Sequence, residues 1–215
     1  MTTLTEGAHS AEFLLGEADD TYNRDVVTLI SGQDLAAGTV LGKITTGTSA
    51  AATAFAGNTG NGAMGPITVS ASVQVGTYKL VIIEPATDAG KFQVEGPDGK
   101  IIGTGAVAAA FSKAGLAFTL ADGATDFVAG DGFDIVVAAG SGKWTQFNQD
   151  AANGSQIAAG ILFDAVDASG GDTPALVVLR HAEVIGNKLI WPSDIDAGEK
   201  VAALAQLANI GIVVR

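Results

Sequence analysis

Cysteine is absent from the 215 residues, and only His9 and His181 supply imidazole. Disulfide frameworks, thiolate zinc sites, cysteine nucleophiles and thiol redox switching are thereby excluded together. Basic residues are scarce too: 11 Lys and Arg stand against 23 Asp and Glu, a net charge of -12. That sign opposes nucleic-acid binding, and no aromatic residue sits in a basic cluster. No stretch reaches the roughly 20 apolar residues of a membrane helix. The opening residues, Met1 to Leu15, hold Glu6 and Glu12 and no basic segment ahead of an apolar block. Synthesis and folding in a cytoplasm is the expectation. Prolines number only 5.

Glycine is what the chain has in quantity, 29 residues spread every few positions. Such punctuation predicts many short strands. Residues 1–21 mix Thr, Ala, Glu and Asp around one apolar island, Phe13-Leu14-Leu15, without a strict period, and read as a mobile arm. Val26 to Ile30 and Thr39 to Ile44 read as two strands. The Thr, Ser, Ala, Gly and Asn that follow, through Gly57-Asn58-Thr59-Gly60-Asn61-Gly62, have little to pack and mark a boundary loop.

Between residues 65 and 140 strand-like runs recur: Ile67 to Val75, Tyr78 to Ile83, Phe92 to Val94, Lys100 to Ile102, Leu116 to Leu120 and Phe133 to Val137. Pro97-Asp98-Gly99 and Asp122-Gly123 are among their separators, and Asp-Gly supplies the positive φ of tight hairpins. A separate small β-sandwich is the expectation. Past Gly142 the chain returns to its first domain through strands at Ile157 to Phe163, Ala175 to Leu179 and Lys188 to Trp191. One short helix follows, with Asp196 and Glu199 as a capping box and Val201, Leu204, Leu207 and Ala208 as its apolar face. Ile210 to Val214 closes the chain as a strand. The domains are thus 1–21, then 22–64 with 141–215, and 65–140 between them.

The chemistry-bearing motifs are weak. Gly60 to Gly65 matches the dinucleotide glycine pattern but runs into Pro66 and a strand, where the phosphate-binding form must open a helix. Asp122, Asp126, Asp131 and Asp134 could offer oxygens to calcium, yet their spacing fits no alternating-oxygen loop and they flank turn glycines. The pairs Asp19-Asp20 and Asp164 with Asp167 carry no sign of the separated pKa values that acid and base work needs. Neither His9-Ser10 nor His181-Ala182-Glu183 lies by a glycine-flanked nucleophile elbow. Asn153-Gly154-Ser155 reads as a turn. No metal site, cofactor, membrane contact or small-molecule substrate is expected. Trp144, Trp191 and Pro192 are candidate subunit-interface residues, with core packing the competing reading for the rings.

In order along the chain, several segments resemble the lambda-type head decoration proteins of tailed bacteriophages, longer members included. They are Arg24-Asp25-Val26-Val27, Ala37 to Ile44, Ala159 to Ala165, Val177 to Val184, Lys188 to Pro192, the acidic short helix and the final Ile/Val strand. In the middle, Gly57 to Gly62, Gly76-Thr77-Tyr78, Phe92 to Gly99 and Ala129 to Phe133 resemble the β domain that longer members insert. The resemblance implies a mainly β fold: a β-clip-like core with one short C-terminal helix and an inserted small β-sandwich. It implies a homotrimer at local three-fold positions on the outer surface of an expanded head. The major capsid protein would be its partner, and the protein would be made in the bacterial host cytoplasm. It also implies an N-terminal arm that orders on the capsid, here Thr2, Thr3, Leu4, Glu6, His9, Phe13 and Leu14. The rival reading is a binding module whose inserted domain recognises carbohydrate or a host surface; an enzyme on the same scaffold lacks a recognisable motif.

Overall fold

In the computed structural model, which describes residues 7–215, the chain is mainly β. The one described helix longer than a single turn is Ala197–Asn209. The chain divides into two compact units, one contiguous over Thr45–Ser141 and one discontinuous, ending at Ile44 and resuming at Gly142.

The discontinuous unit is built on a closed five-stranded barrel in the order Trp144–Gln146, Arg24–Leu29, Thr173–Val178, Ala158–Leu162, Val40–Lys43. Closure removes the unpaired strand edges that would otherwise invite association. Arg24–Leu29 runs antiparallel to Thr173–Val178 in an unbroken register from Leu29↔Thr173 to Arg24↔Val178. Leu29, Leu41, Leu162, Val177 and Trp144 pack together in its interior. At Gly42 a Cβ would lie 2.3 Å from the carbonyl oxygen of Ser155, so only glycine lets these backbones approach.

Beside the barrel, Leu14–Glu17 pairs antiparallel with Ala182–Val184, which pairs in parallel with Ile212–Val214. The helix closes this side. Asp196 accepts a hydrogen bond from the Glu199 N–H (2.8 Å), and Glu199 accepts one from the Asp196 N–H (2.8 Å), the expected capping box. The buried side of the helix meets the expectation at Leu207, with Leu204 half-buried, and differs from it elsewhere. Ala203 and Leu207 face the core, whereas Val201 and Ala208 are exposed. Burying Leu207 contributes about 2 kcal/mol.

In the contiguous unit a five-stranded antiparallel sheet runs in the order Thr46–Ala54, Gly132–Ala139, Gly76–Ala86, Ala89–Glu95, Ile101–Ala106. A second sheet joins Ala110–Lys113, Leu116–Thr119 and Thr68–Val69. Tyr78, Leu80, Ile82, Phe92 and Val94 of the first sheet share one core with Phe111, Leu116 and Phe118 of the second. Phe111 and Phe118 stack with centroids 4.9 Å apart. Phe92 lies across from Gly105, where a Cβ would sit 2.4 Å from the ring.

The strands depart from those expected in three places. Thr46–Ala54, expected as a boundary loop, is a nine-residue strand paired with Gly132–Ala139, so this unit begins well before residue 65. Ala50 and Ala52 turn to the core, but alanine leaves no periodic signal strong enough to show it. Conversely, of Ile67 to Val75 only Thr68–Val69 is strand, because the chain turns at Ser70 to bury Val73. Lys188 to Trp191 likewise holds the end of a 3-10 turn, Gly186–Lys188, and a single bridge from Ile190 to Thr39.

Candidate functional site

The N-terminal segment is where the structure corrects the expectation of a free arm through residue 21. Thr2, Thr3, Leu4 and Glu6 lie outside the described residues. Gly7 to Ser10, His9 included, are exposed. Phe13 is 1% exposed and packs with Val40, Ile161, Leu189 and Leu207. Leu14 is half-buried at the start of a strand, so in the free chain the Phe13 ring is enclosed and Leu14 keeps part of its surface. The reason is the apolar island itself, which a core is there to receive.

Several bonds fix the point where the exposed stretch meets the body. Ala11 N–H donates to the Phe163 carbonyl (3.1 Å), and Ile185 N–H donates to that of Phe13 (2.7 Å). Ala11 turns the chain at φ 57°, a region that few non-glycine residues occupy. Glu12 pairs with Lys188. Its hydrogen bond with Lys188, and then that from the His9 N–H, hold its carboxyl below the ordinary carboxylate value. Farther along, Glu17 accepts from Arg24 Nε (2.9 Å) and Asn23 Nδ2 (2.5 Å). The Arg24 bond lowers the Glu17 pKa most; burial opposes it and Asn23 adds to the lowering. The Arg24 guanidinium lies 4.0 Å over the Phe163 ring.

Of the candidate interface residues, Trp144 is buried in the barrel core, which leaves its ring no surface for a second copy. Trp191 and Pro192 are half-buried. Trp191 meets Phe147 edge-on at 6.0 Å, and Lys200 lies 5.6 Å over its ring. Pro192 lines an open cleft of about 530 Å³ with Gln33, Thr145, Asn148, Ser155 and Asp194. Its polar groups are largely committed: Gln33 Oε1 accepts from Thr145 Oγ1 (2.9 Å) and Gln146 N–H (2.8 Å), and Ser155 Oγ donates to Asn153 Oδ1 (2.7 Å). The Ser155 hydroxyl is thus held by the Asn153 side chain. His181 stacks on Tyr22 with centroids 5.5 Å apart.

The aspartates of the contiguous unit separate into different roles. Asp131 is 3% exposed, and its carboxylate accepts from the N–H groups of Thr59 (2.9 Å), Gly60 (2.8 Å) and Val128 (3.0 Å). Burial pushes its pKa up, but those three donors outweigh burial and leave it below the ordinary value. Within the glycine run the Gly60 amide is thereby spent on Asp131, and the Asn61 and Gly65 amides donate to the Thr125 and Thr119 carbonyls. Asp134 pairs with Lys79 (3.2 Å). Asp122 and Asp126 come together with Asp88, one oxygen of each within 4.8 Å of the others, the only three-ligand group of this kind among the described residues. Asp126 Oδ1 also accepts from the Asp88 N–H (3.0 Å), a turn-to-turn bond.

The family model for the bacteriophage lambda head decoration protein D matches residues 3–212. The chain belongs to that family. Head decoration proteins are structural components of the phage head that bind its capsid, not enzymes. No curated protein matches the chain. Two crystal structures of Xanthomonas campestris FlgL, in space groups H3 and C2, are 25% and 26% identical to part of it, each with a TM-score of 0.34. These matches cover 47% and 46% of this decoration protein and 33% and 31% of FlgL, so the chain spans about a third of FlgL's length. So slight a likeness assigns no common fold.

Proposed function

We propose that this head decoration protein clamps the outer surface of an expanded tailed-phage head as a homotrimer at local three-fold positions, with the major capsid protein as its partner. The discontinuous unit is the β-clip-like body, and the contiguous unit is an insertion in it. One observation carries the reading beyond the family assignment: an exposed stretch, Gly7 to Ser10, leads straight into Phe13, which is locked in the core. A segment exposed at Gly7 to Ser10 and rooted at Phe13 can transmit a pull from the capsid into the body.

The stabilisation is mass action. A ligand that binds only the expanded lattice shifts the capsid toward that state, and many copies raise the barrier to rupture together. The net charge of -12 keeps free subunits soluble at high copy number before docking. The carbohydrate reading finds no support, because Tyr78, Phe92, Phe111, Phe118, Phe127 and Phe133 are all buried and offer no aromatic platform.

Deleting residues 2–8 tests the arm. The truncated protein keeps the melting temperature of the full chain and loses binding to expanded heads; undiminished binding would overturn the role. Light scattering at several concentrations tests whether a species of three chains exists before docking.

A further inference from the structure

The outer side of the Ala197–Asn209 helix is unusual for a surface helix. Val201, at 66%, is the most exposed of the large hydrophobic side chains among the described residues, and Ala202, Ala205 and Ala208 are exposed along the same helix. After Lys200 the helix carries no charged residue. The solvent side of an amphipathic helix is ordinarily charged or polar. In a chain of net charge -12, this flank is where a like-charged copy can approach without setting carboxylate against carboxylate.

The two ends of the helix differ in charge. At its C-terminal end an open groove of about 430 Å³ runs between Leu179, Arg180, His181 and Ala208, Asn209, Gly211. The groove is lined by Arg180 and His181 and by no carboxylate. Arg180 donates to the Tyr22 carbonyl (2.8 Å) and lies 5.5 Å over the Tyr22 ring, which holds the guanidinium in place. At the start of the helix stand Asp194, Asp196 and Glu199. A groove carrying the Arg180 guanidinium at one end and an acidic segment at the other complement each other between two copies set head to tail. That heterologous contact is the kind that closes a three-membered ring.

We infer that copies of this chain meet through the outer flank of the helix and the groove at its C-terminal end, which receives the Asp194 to Glu199 segment of the next copy. This rests on the homotrimer reading above and names the surface that builds it.

The test is cross-linking of full-length protein on decorated heads with glutaraldehyde, reading the three-chain product. Ala205→Glu puts a charge in the middle of the flank, Arg180→Glu reverses the groove, and Lys113→Glu makes the same reversal in the contiguous unit. Circular dichroism checks that each variant is folded. We expect wild type and Lys113→Glu to give the three-chain product, and Ala205→Glu and Arg180→Glu each to lower it at least tenfold. If both helix variants cross-link like wild type, this surface is wrong while the trimer stands. If wild type gives no three-chain product, the trimer reading fails and this inference falls with it.

Discussion

The contiguous unit buries Tyr78, Phe92, Phe111, Phe118, Phe127 and Phe133 in one core, whereas the discontinuous unit closes a barrel around leucine, valine and a single tryptophan. Pairing differs as well. In the contiguous unit Gly76–Ala86, Ala89–Glu95 and Ile101–Ala106 pair in sequence order across short turns, as do Ala110–Lys113 and Leu116–Thr119. The barrel instead joins Arg24–Leu29 to Thr173–Val178, segments from opposite ends of the chain. Local pairing lets a segment fold on its own contacts, while the barrel waits for its C-terminal half. This difference supports the proposal that the contiguous unit is an addition and the discontinuous unit the body, although Thr46–Ala54 and Gly132–Ala139 also pair over a long stretch of chain.

The largest expected effect comes from removing the difference altogether. Gly142 N–H donates to the Ile44 carbonyl (2.9 Å), so the two ends of the discontinuous unit are adjacent. Excising residues 45–141 and joining Ile44 to Gly142 through an Asn-Gly turn should leave a folded protein with one thermal transition. An unfolded product would show that the body is not self-sufficient. Next, Phe92→Ala removes a ring in contact with both Phe111 and Phe118. It should destabilise the contiguous unit by about 3–5 kcal/mol and leave the barrel's transition unmoved, as followed by hydrogen exchange. Loss of protection in both units would break the comparison.

A smaller effect belongs to Asp131, which ties Thr59 and Gly60 to its own turn. Its folded pKa lies below the ordinary 3.8, so its contribution is present above that value and is lost as pH falls through the lower folded one. Acid melts should show the contiguous unit weakening below about pH 4 in wild type, with a flatter dependence in Asp131→Asn, itself destabilised by about 1–3 kcal/mol. An unchanged acid profile in the variant would assign that weakening to other carboxylates. The smallest effect is Asp196→Ala, which removes the helix cap and should cost about 1 kcal/mol, confined to the discontinuous unit.

Signals that lie within a few residues were legible in the sequence. Asp196 and Glu199 fixed the start of the helix, and alternation marked Leu116–Thr119, with Leu116 and Phe118 buried. Relations between distant segments were not. The solvated appearance of Asp131 in its Gly-Asp-Gly turn hid partners some seventy positions away. Phe13 reads as part of an arm until the core that receives it is formed. Val201 and Ala208 satisfy helical spacing as well as Ala203 and Leu207 do, and only packing decides which side is buried. An alanine-rich strand such as Thr46–Ala54 carries almost no pattern, so its pairing with Gly132–Ala139 shows only in three dimensions.

Binding of the full-length chain to undecorated heads of its phage, expanded and unexpanded in parallel, tests the central claim most directly. Saturable binding to expanded heads is expected, one chain per capsid-protein subunit around each local three-fold position, and none to unexpanded heads. Equal binding to both, or none to expanded heads, would contradict it.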